Sequence, residues 1–517
     1  MRITDFLDRG ASLFPDRDVV HDGQSGMSYR DFSLLTHRIA NALRAAGVQP
    51  GERVALYSPN HPLAYAAHFG IVRAGAVSVP LNARNTVHEN AEVVAMLDAD
   101  FLLFHSSFAD QAAHFRGVCP RLRGMVCIDA VRPDAPGLLD WCAGQPDASP
   151  DLPYRSDDVY AMYTTSGTTG KPKGVMLTHQ NFECMVAAFQ CAMRFDGPPV
   201  HLVVAPLTHA AGMYAGAMLS LGGTNVILPD QKPALILEWI ERHRVSTLFL
   251  PPTLIYMLLA DPALRRHDYS TLRYFAYGAA PMSADKLREA AAVFGNVFMQ
   301  IYGQTEAIMP LTLLHPEDHA RALADPARAD LLLSCGRPST FAQMGVMDDA
   351  GRLLPMGETG EVVTRSNLVM KGYYRNPEAT EEVSTHGWHH TGDIGRIDAE
   401  GYLYLIDRKK DMIISGGFNI YPSEVEQVIW THPAVQDCAV VGIPDEKWGE
   451  AVTAVVEFKP GAHVDAAELI ALCKERIGSV KAPKTVHVWP ALPRSAVGKV
   501  LKREIRSKFW AGRERAI

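Results

Sequence analysis

One glycine-rich stretch decides how this chain is interpreted: Tyr163-Thr164-Thr165-Ser166-Gly167-Thr168-Thr169-Gly170-Lys171-Pro172-Lys173-Gly174. Apolar runs at residues 159–163 and 175–177 flank it. Its glycines allow close backbone approach, its hydroxyls donate hydrogen bonds, and its two lysines supply positive charge. The stretch therefore predicts a polyphosphate-binding loop between two strands. A mobile surface turn is the alternative, because the same residue types are common in loops.

The loop does not fit the Walker pattern of P-loop nucleotidases. That pattern requires Ser or Thr after Gly-Lys, whereas Pro172 follows here, and only two residues separate Gly167 from Gly170. The segment S-G-T-T-G-K-P-K-G instead resembles the phosphate-binding motif of the adenylate-forming superfamily, which includes acyl-CoA synthetases, amino-acid adenylation domains and beetle luciferases. The resemblance implies that this chain binds ATP phosphates through Thr165, Ser166, Gly167, Thr168, Thr169, Gly170 and Lys171.

Composition limits the classes of function. The chain has 517 residues, more than a usual single domain, so two or more domains are expected. A formal net charge of -7 gives no argument for binding nucleic acid or an anionic membrane surface. The eight cysteines include no C-x-x-C pair, and residues 1–6 lack an apolar signal-peptide core. We expect a cytoplasmic protein with reduced thiols, and a homodimer is left open.

Alternating patterns in residues 1–150 predict an α/β fold. Helical periodicity marks residues 30–47, 62–75 and 88–97, and short apolar runs at 53–58, 76–80 and 101–104 predict strands between them. This alternation is typical of β-α-β units around a mainly parallel sheet. Residues 197–229 carry no Lys, Arg, Asp or Glu, but prolines and glycines interrupt them. A strand, a loop, a helix and a second strand are expected there rather than a transmembrane helix.

His209 lies in a segment, residues 205–213, that resembles the Pro-x-x-His segment of the superfamily. The resemblance implies that His209 lies beside the acyl carboxylate or gates its pocket, and a capping or structural histidine is the alternative. The presumed acyl tunnel has small or apolar walls without an arginine to pair a second carboxylate. We expect these walls to be Ala210, Ala211, Gly212, Met213, Gly278, Ala279, Gly303 and Met309.

Gly278-Ala279-Ala280 ends an aromatic strand and resembles the adenine-binding segment of the superfamily. Small side chains at a strand end let a flat ring stack against the backbone. The alternative is an ordinary strand before a helix N-terminus, in which Pro281 and Ser283 serve local structure. Tyr277 stands where the family commonly has Ser or Gly, and its ring is expected to alter the shape of the pocket.

Tyr302-Gly303-Gln304-Thr305-Glu306 follows a strand and looks like the Y-G-x-T-E motif of the superfamily. The resemblance implies that Tyr302 and Gly303 contact the nucleotide, that Thr305 offers its hydroxyl to the α-phosphate, and that Glu306 holds Mg²⁺. Carboxylate and phosphate oxygens are the ligands that Mg²⁺ prefers. The alternative is that Thr305 and Glu306 only begin a helix.

The resemblance also implies two domains. Asp393 resembles the carboxylate that accepts the ribose hydroxyls, with a turn aspartate as the alternative, and Arg408 is expected to contact ribose or phosphate. The charged junction at Asp407 resembles the hinge between the large and small domains of the superfamily. We therefore expect an ATP- and acyl-binding N-terminal domain, residues 1–406, of mainly parallel sheets flanked by helices. A smaller, mobile α+β domain, residues 407–517, is expected to follow it.

Two segments of the second domain carry the remaining chemistry. Ser415, Gly416 and Gly417 form a small-residue turn, and a capped helix start at Ser423 follows it. The superfamily places pantetheine beside this turn, and an ordinary glycine β-turn is the alternative. Near the end, residues 493–499 closely match the P-x-x-x-x-G-K segment of the superfamily. The resemblance implies that Lys499 bridges the carboxylate and the α-phosphate, a role suited to a compact ammonium with three donors.

Together these motifs predict an AMP-forming acyl-CoA synthetase that uses ATP, Mg²⁺ and coenzyme A. Our first choice of substrate is a medium- or long-chain fatty acid. An aryl or alicyclic acid, or loading of a carrier protein, is the alternative. An amino-acid adenylation domain, a luciferase-like monooxygenase and a non-enzymatic nucleotide-binding regulator are the rival classes.

Overall fold

The computed structural model describes residues 1–166, 172–494 and 500–510. The described part forms two compact units: unit 1 comprises Met1–Met344 and Thr364–His389, and unit 2 comprises Gly345–Val363 and His390–Ile517. The domain limits and the hinge expected near residue 407 stay predictions. Some predicted site residues lie outside the described residues, namely Gly167, Thr168, Thr169, Gly170, Lys171 and Lys499.

The strands, in chain order, are β1 (Asp18–His21), β2 (Gly26–Ser28), β3 (Arg53–Tyr57), β4 (Val77–Leu81), β5 (Phe101–Phe104), β6 (Gly124–Cys127), β7 (Val159–Ser166), β8 (Pro172–Thr178), β9 (Val200–Val203), β10 (Thr224–Ile227), β11 (Thr247–Leu250), β12 (Tyr274–Gly278), β13 (Phe298–Tyr302), β14 (Thr312–Leu314), β15 (Arg337–Pro338), β16 (Ala342–Met347), β17 (Gly360–Ser366), β18 (Gly372–Tyr373), β19 (His389–Ile397), β20 (Leu403–Arg408), β21 (Ile413–Ser415), β22 (Phe418–Ile420), β23 (Val435–Asp445), β24 (Gly449–Phe458) and β25 (Thr485–Val488).

The α-helices are α1 (Ile3–Leu13), α2 (Tyr29–Ala45), α3 (Pro62–Arg73), α4 (Val87–Met96), α5 (Ala109–Val118), α6 (Leu138–Cys142), α7 (His179–Ala192), α8 (Ala210–Ala217), α9 (Pro233–Arg242), α10 (Pro252–Leu259), α11 (Ala284–Phe294), α12 (Pro316–Ala324), α13 (Pro377–Glu382), α14 (Pro422–Trp430), α15 (Ala466–Lys481) and α16 (Lys502–Phe509). No helix within the described ranges combines the length and the apolar character that crossing a bilayer requires.

Unit 1 contains two large sheets. One has the order β15-β14-β13-β12-β11-β9-β10-β1-β2, and its six central strands, from β13 to β1, are parallel. The other has the order β18-β8-β7-β4-β3-β5-β6, with parallel pairing from β7 to β6. This arrangement confirms the predicted α/β class with mainly parallel sheets. The strand, loop, helix and strand expected in residues 197–229 are confirmed as β9, α8 and β10.

Short-range signals explain why these helices begin where they do. Ser28 accepts a hydrogen bond from the backbone N–H of Asp31 at the start of α2. Thr86 and Glu89 form a reciprocal capping box at α4. Both arrangements satisfy N–H groups that have no partner within the helix. Because such signals lie within a few residues of each helix, the elements predicted for residues 30–104 are confirmed to within about two residues.

Unit 2 contains a five-stranded sheet, in which β22-β21-β24-β23 is the main path and β25 pairs with β24, as well as most of the sheet β16-β17-β19-β20. Helices α14 and α15 contribute Val425, Ile429 and Leu469 to its apolar core. The capped helix start predicted at Ser423 is wrong by two residues: the N-cap residue is Tyr421, which makes no side-chain capping bond, and α14 begins at Pro422. Proline suits this position because a first-turn N–H has no intrahelical partner.

Candidate active site

The predicted phosphate loop joins two antiparallel strands. Thr165 lies opposite Lys173 and Ser166 opposite Pro172 in the β7–β8 pair. The expectation that strands enter and leave the loop is therefore confirmed. At the loop end of β7, the Thr165 hydroxyl donates to Glu306 Oε1 at 3.4 Å. This contact brings together two segments that are 141 residues apart in the sequence.

Glu306 lies at the tip of a tight turn. Gln304 N donates to Ala307 O at 2.9 Å, and Ala307 N donates back to Gln304 O at 3.3 Å. Thr305 and Glu306 are the two central residues of this closed turn, and both are partly exposed. The alternative that they begin a helix is wrong, because the chain turns back into the antiparallel strand β14.

Two glycines let the adjoining segments pack closely. Strands β12 and β13 are parallel, with Gly278 opposite Ile301, so the segments that follow them leave the same edge of the sheet. A Cβ at Gly278 would lie 2.3 Å from Ile301 O, and one at Gly303 would lie 2.7 Å from Met309 N. Ala279, the residue after β12, has a φ of 66°. This left-handed conformation costs a non-glycine residue about 1–2 kcal/mol and turns the chain sharply at the strand end.

Tyr277 is a core residue. Its ring packs against Phe298 and His319, and its hydroxyl lies 2.9 Å from His319 Nε2. The other ring nitrogen of His319 lies 2.8 Å from His315 O, a pure acceptor, so Nδ1 carries the proton and Nε2 accepts from Tyr277. Burial lowers the pKa of His319 to about 4, which keeps the ring neutral. The sequence predicted that the ring of Tyr277 alters the shape of the pocket. In the structure the ring is instead part of the core.

His209 is the N-cap residue of α8 but makes no side-chain capping bond. Its Nδ1 lies 3.0 Å from the Thr208 hydroxyl. Burial, and secondarily the charge of Arg84, lowers the pKa of His209. The imidazole is therefore neutral near pH 7 and would meet a carboxylate as a hydrogen-bonding group rather than as a cation.

A cavity opens next to the segment that carries His209. Leu207, Thr208, Gly212 and Met213 line one side of it. The other walls come from α1, α3 and α7, from the β3 and β4 strand ends and from β7. They are mainly apolar and aromatic, and include Leu56, Phe69, Tyr160, Tyr163 and Phe182. Among the residues that were predicted to line the acyl tunnel, Gly212 and Met213 line this cavity.

In unit 2, Asp393 and Arg408 face each other across β19 and β20. They are register partners, and Arg408 Nε lies 2.9 Å from Asp393 Oδ1. Asp393 is buried, and its backbone N–H donates to the Thr391 hydroxyl at 3.1 Å. The carboxylate is thus held in one orientation by a cation on the neighbouring strand.

Gly416 and Gly417 form the two-residue turn of the β21–β22 hairpin, in which buried Ser415 pairs with Phe418. Both glycines have positive φ, 57° and 82°, as tight hairpin turns of this length require. A Cβ at Gly416 would lie 2.7 Å from the indole of Trp448. Trp448 is 38% exposed, and the ammonium groups of Lys447 and Lys484 lie 4.8 and 5.7 Å from the centre of its ring. The turn therefore adjoins an exposed aromatic ring flanked by two cations.

Sequence reasoning missed two residues next to predicted site residues. Tyr373 donates to Glu306 Oε1 at 2.9 Å, although 67 positions separate the two. Trp448, the residue directly before β24, packs on the Gly416 turn. A tyrosine or tryptophan alone carries no local signal for such contacts. The sequence feature that comes nearest to such a signal is the dipeptide Trp448-Gly449, an aromatic residue followed by a glycine. In the structure this glycine has a positive φ.

The chain matches two family descriptions in the expected order. Residues 7–374 match the AMP-binding enzyme family, and residues 424–499 match the AMP-binding enzyme C-terminal domain. Among known proteins it is 39% identical to a feruloyl-CoA synthase from an Amycolatopsis species, over 97% of this chain and 98% of that protein. It is 41% identical to the medium/long-chain-fatty-acid–CoA ligase FadD8 of Mycobacterium tuberculosis, over 72% of this chain and 65% of that protein.

A solved structure of an enzyme also matches this chain over nearly its whole length. The amide bond synthetase McbA from Marinactinospora thermotolerans superposes with a TM-score of 0.89 at 32% identity, covering 98% of this chain and all of that one. The motif order, the fold and the relatives named CoA ligases or synthetases point to one class. The chain belongs to the AMP-binding enzymes of the adenylate-forming superfamily, in the acyl-CoA ligase branch, and is an AMP-forming acid–thiol ligase.

Proposed function

We propose that this enzyme activates an apolar monocarboxylic acid with ATP and transfers the acyl group to coenzyme A. The observation that carries the proposal is the Thr165–Glu306 contact, which joins the hydroxyl-rich hairpin to the carboxylate turn. A polyphosphate held by the hairpin would therefore lie next to a carboxylate suited to a cation.

In the first half-reaction, a carboxylate oxygen of the acid attacks the α-phosphorus of ATP and pyrophosphate leaves, forming an acyl-adenylate. Charge builds up on the phosphate oxygens, so positioning and electrostatic stabilisation dominate. Thr305 and the hairpin hydroxyls donate to these oxygens, and Lys499 bridges the carboxylate and the α-phosphate. Neutral His209 orients the acid by a hydrogen bond.

The donor set near Glu306 fits Mg²⁺. One carboxylate and the hydroxyls of Thr165 and Thr305 provide hard oxygen atoms in a partly exposed turn, which leaves room for water and phosphate ligands. When bound, Mg²⁺ supplies positive charge that neutralises the phosphate oxygens. In this proposal Glu306 is its protein ligand.

In the second half-reaction, the thiol of coenzyme A attacks the acyl carbonyl carbon and AMP leaves. We place the slim pantetheine arm beside Gly416 and Gly417, because these two residues carry no side chains and the space beside Gly417 is open. The exposed ring of Trp448 suits stacking with the adenine of coenzyme A, and Lys447 and Lys484 suit its phosphates. Between the half-reactions, the C-terminal part turns about Asp407. Lys499 then leaves the acyl-adenylate, and the surface at Gly416 and Gly417 takes its place.

For the acid, we favour an aryl-substituted carboxylic acid, which was the alternative in the sequence-based prediction. The cavity beside His209 supports a planar ring, because aromatic side chains line much of it. No Lys, Arg, Asp or Glu is among its described lining residues, so it offers no partner to a second carboxylate. A relative named feruloyl-CoA synthase, 39% identical over 97% of this chain, also supports an aromatic acid.

A medium- or long-chain fatty acid is the second candidate. It is favoured by the 41% identity to FadD8, which is named for such substrates, over 380 residues. The two candidates differ in the shape of the acid that fills the cavity. A panel assay therefore separates them.

The test measures AMP formation with ATP, CoA and each of four acids: a hydroxycinnamate, decanoate, hexadecanoate and malonate. We expect the hydroxycinnamate to give the highest kcat/KM and malonate no activity. Met213→Trp should fill the cavity and reduce activity with the bulky acids, whereas Met213→Leu keeps the volume and serves as the control. Lys499→Ala should abolish acid-dependent pyrophosphate release. The proposal would be contradicted if none of the four acids supported AMP formation, or if AMP formed equally well in the absence of CoA.

A further inference from the structure

Glu306 is held by two hydroxyl groups on the same oxygen atom. Tyr373 donates to Oε1 at 2.9 Å and Thr165 donates to it at 3.4 Å. A carboxylate oxygen has two lone-pair positions for such donors. No hydrogen bond from a described residue reaches Oε2. The donors among the described residues therefore converge on one oxygen of Glu306, Oε1.

Backbone hydrogen bonds also hold the segments of Glu306 and Tyr373 next to each other. Met370 N donates to Glu306 O at 2.8 Å, and Ile308 N donates to Leu368 O at 2.9 Å, so the segment before Tyr373 runs alongside the Glu306 turn. Tyr373 itself belongs to β18, which pairs with β8 at Val175. It is 6% exposed. The hydroxyl of Tyr373 is thus presented to Glu306 by a strand that also borders the phosphate hairpin.

The Tyr373 hydroxyl is the donor of this contact, because an ionised carboxylate oxygen can only accept. Lys173, on the hairpin, lies 4.8 Å above the centre of the Tyr373 ring, a contact that a phenylalanine ring would keep.

We propose that Tyr373 is a positioning residue, which holds Oε1 of Glu306 so that Oε2 faces the magnesium ion of bound ATP. This inference rests on the assignment of Mg²⁺ to Glu306 in the proposed function. Without the Tyr373 hydroxyl, the longer Thr165 bond is the one side-chain hydrogen bond from the described residues that still restrains the carboxylate. The side chain then rotates among several orientations, and the cation site loses its preorganisation.

The experiment measures ATP binding by calorimetry in the absence of any acid, once with Mg²⁺ and once with a chelator. The ratio of the two dissociation constants reports the contribution of the cation. Wild type, Tyr373→Phe and Tyr374→Phe are compared. Tyr374 is a matched control, since its hydroxyl donates to the carboxylate of Asp98 at 3.0 Å, away from Glu306.

We expect Tyr373→Phe to reduce the ratio by about tenfold, the effect of losing one hydrogen bond to a charged group. Its ATP affinity in chelator should equal that of wild type, and Tyr374→Phe should retain the wild-type ratio. A wild-type ratio for Tyr373→Phe, or equal losses with and without Mg²⁺, would overturn the inference. A wild-type enzyme whose ATP binding ignores Mg²⁺ would instead overturn the metal assignment in the proposed function.

Discussion

The carboxylate of Asp407 accepts a hydrogen bond from the backbone N–H of Ser423 at 2.8 Å. Ser423 lies in the first turn of α14, so a residue outside the helix satisfies one of its free N–H groups. The negative charge of Asp407 also suits the positive end of the helix dipole. Because we place the hinge at Asp407, turning there changes the position of this carboxylate relative to α14.

The first prediction follows from this contact. Asp407→Ala should destabilise unit 2 by about 1 kcal/mol, the usual value of a helix cap. If this bond forms in only one of the two hinge positions, its loss should also shift the ratio of the two half-reactions by about fivefold. The half-reactions are measured separately, as ATP–pyrophosphate exchange and as CoA acylation from preformed acyl-adenylate. Asp465→Ala is the control: Asp465 caps α15 in the same unit, far along the chain from the hinge. If both variants lose stability and neither changes the ratio, Asp407 is only a cap.

The second prediction concerns Asp393, which Arg408 holds in place. If its carboxylate accepts the ribose hydroxyls, wild type should bind ATP about tenfold or more tightly than 2′,3′-dideoxy-ATP, as expected for hydrogen bonds to a charged acceptor. Asp393→Asn should lose most of this preference without losing the fold. Asp398→Asn is the control, because Asp398 lies in the turn between the same two strands, where it accepts from Glu400 N and Tyr402 N. An unchanged preference in Asp393→Asn would remove Asp393 from the ribose site.

Features that depend on neighbouring residues could be predicted from the sequence. The helices and strands between residues 30 and 104 follow from periodicity and from caps such as Thr86 with Glu89. The turn at Gly416 and Gly417 follows from the need for two positive φ angles. The strands on either side of the phosphate loop follow from apolar runs that end in glycine, serine and threonine. In each case the deciding interaction spans a few positions.

Features that depend on sheet topology could not be predicted. Tyr373 reaches Glu306 only because β18 joins the edge of the sheet next to β8, and nothing near Tyr373 in the sequence indicates that pairing. The start of α14 was misplaced because its acceptor, Asp407, comes from β20, 16 positions before Ser423, rather than from a local cap. The side chain of Tyr277 turned out to lie in the core because its partner His319 is contributed by α12, 42 positions away.

The third prediction tests the close approach at Gly303. Adding a Cβ there would place it 2.7 Å from Met309 N and 2.8 Å from Met309 Cα, so the backbone must move. Gly303→Ala should therefore cost about 1–3 kcal/mol of stability, as overpacking does. It should also weaken binding of Mg²⁺-ATP, because the shift displaces Thr305 and Glu306. The control Gly117→Ala adds its Cβ in open space on helix α5, where alanine is the better helix former, and should be neutral or slightly stabilising. A Gly303→Ala enzyme with the wild-type melting temperature would show that the turn adapts at no cost.

The last prediction concerns acid stability. Burial lowers the pKa of His68, His179, His201 and His319 to about 4 in the folded protein. The unfolded chain, with ordinary values near 6.5, binds more protons between about pH 6.5 and pH 4. Stability therefore rises with pH across this window and falls on acidification, by up to about 3 kcal/mol for each histidine at its lower end.

His179 offers the sharpest test of this linkage. Ile3 N donates to its Nδ1 at 3.2 Å, so the folded state requires that nitrogen to be unprotonated. His179→Gln keeps an acceptor but cannot titrate. The melting temperature of this variant should fall less than that of wild type between pH 7 and pH 5, whereas a variant of exposed His88, His88→Gln, should follow wild type. Parallel curves for wild type and His179→Gln would mean that His179 has the same pKa in the folded and unfolded states, which would contradict the lowered value.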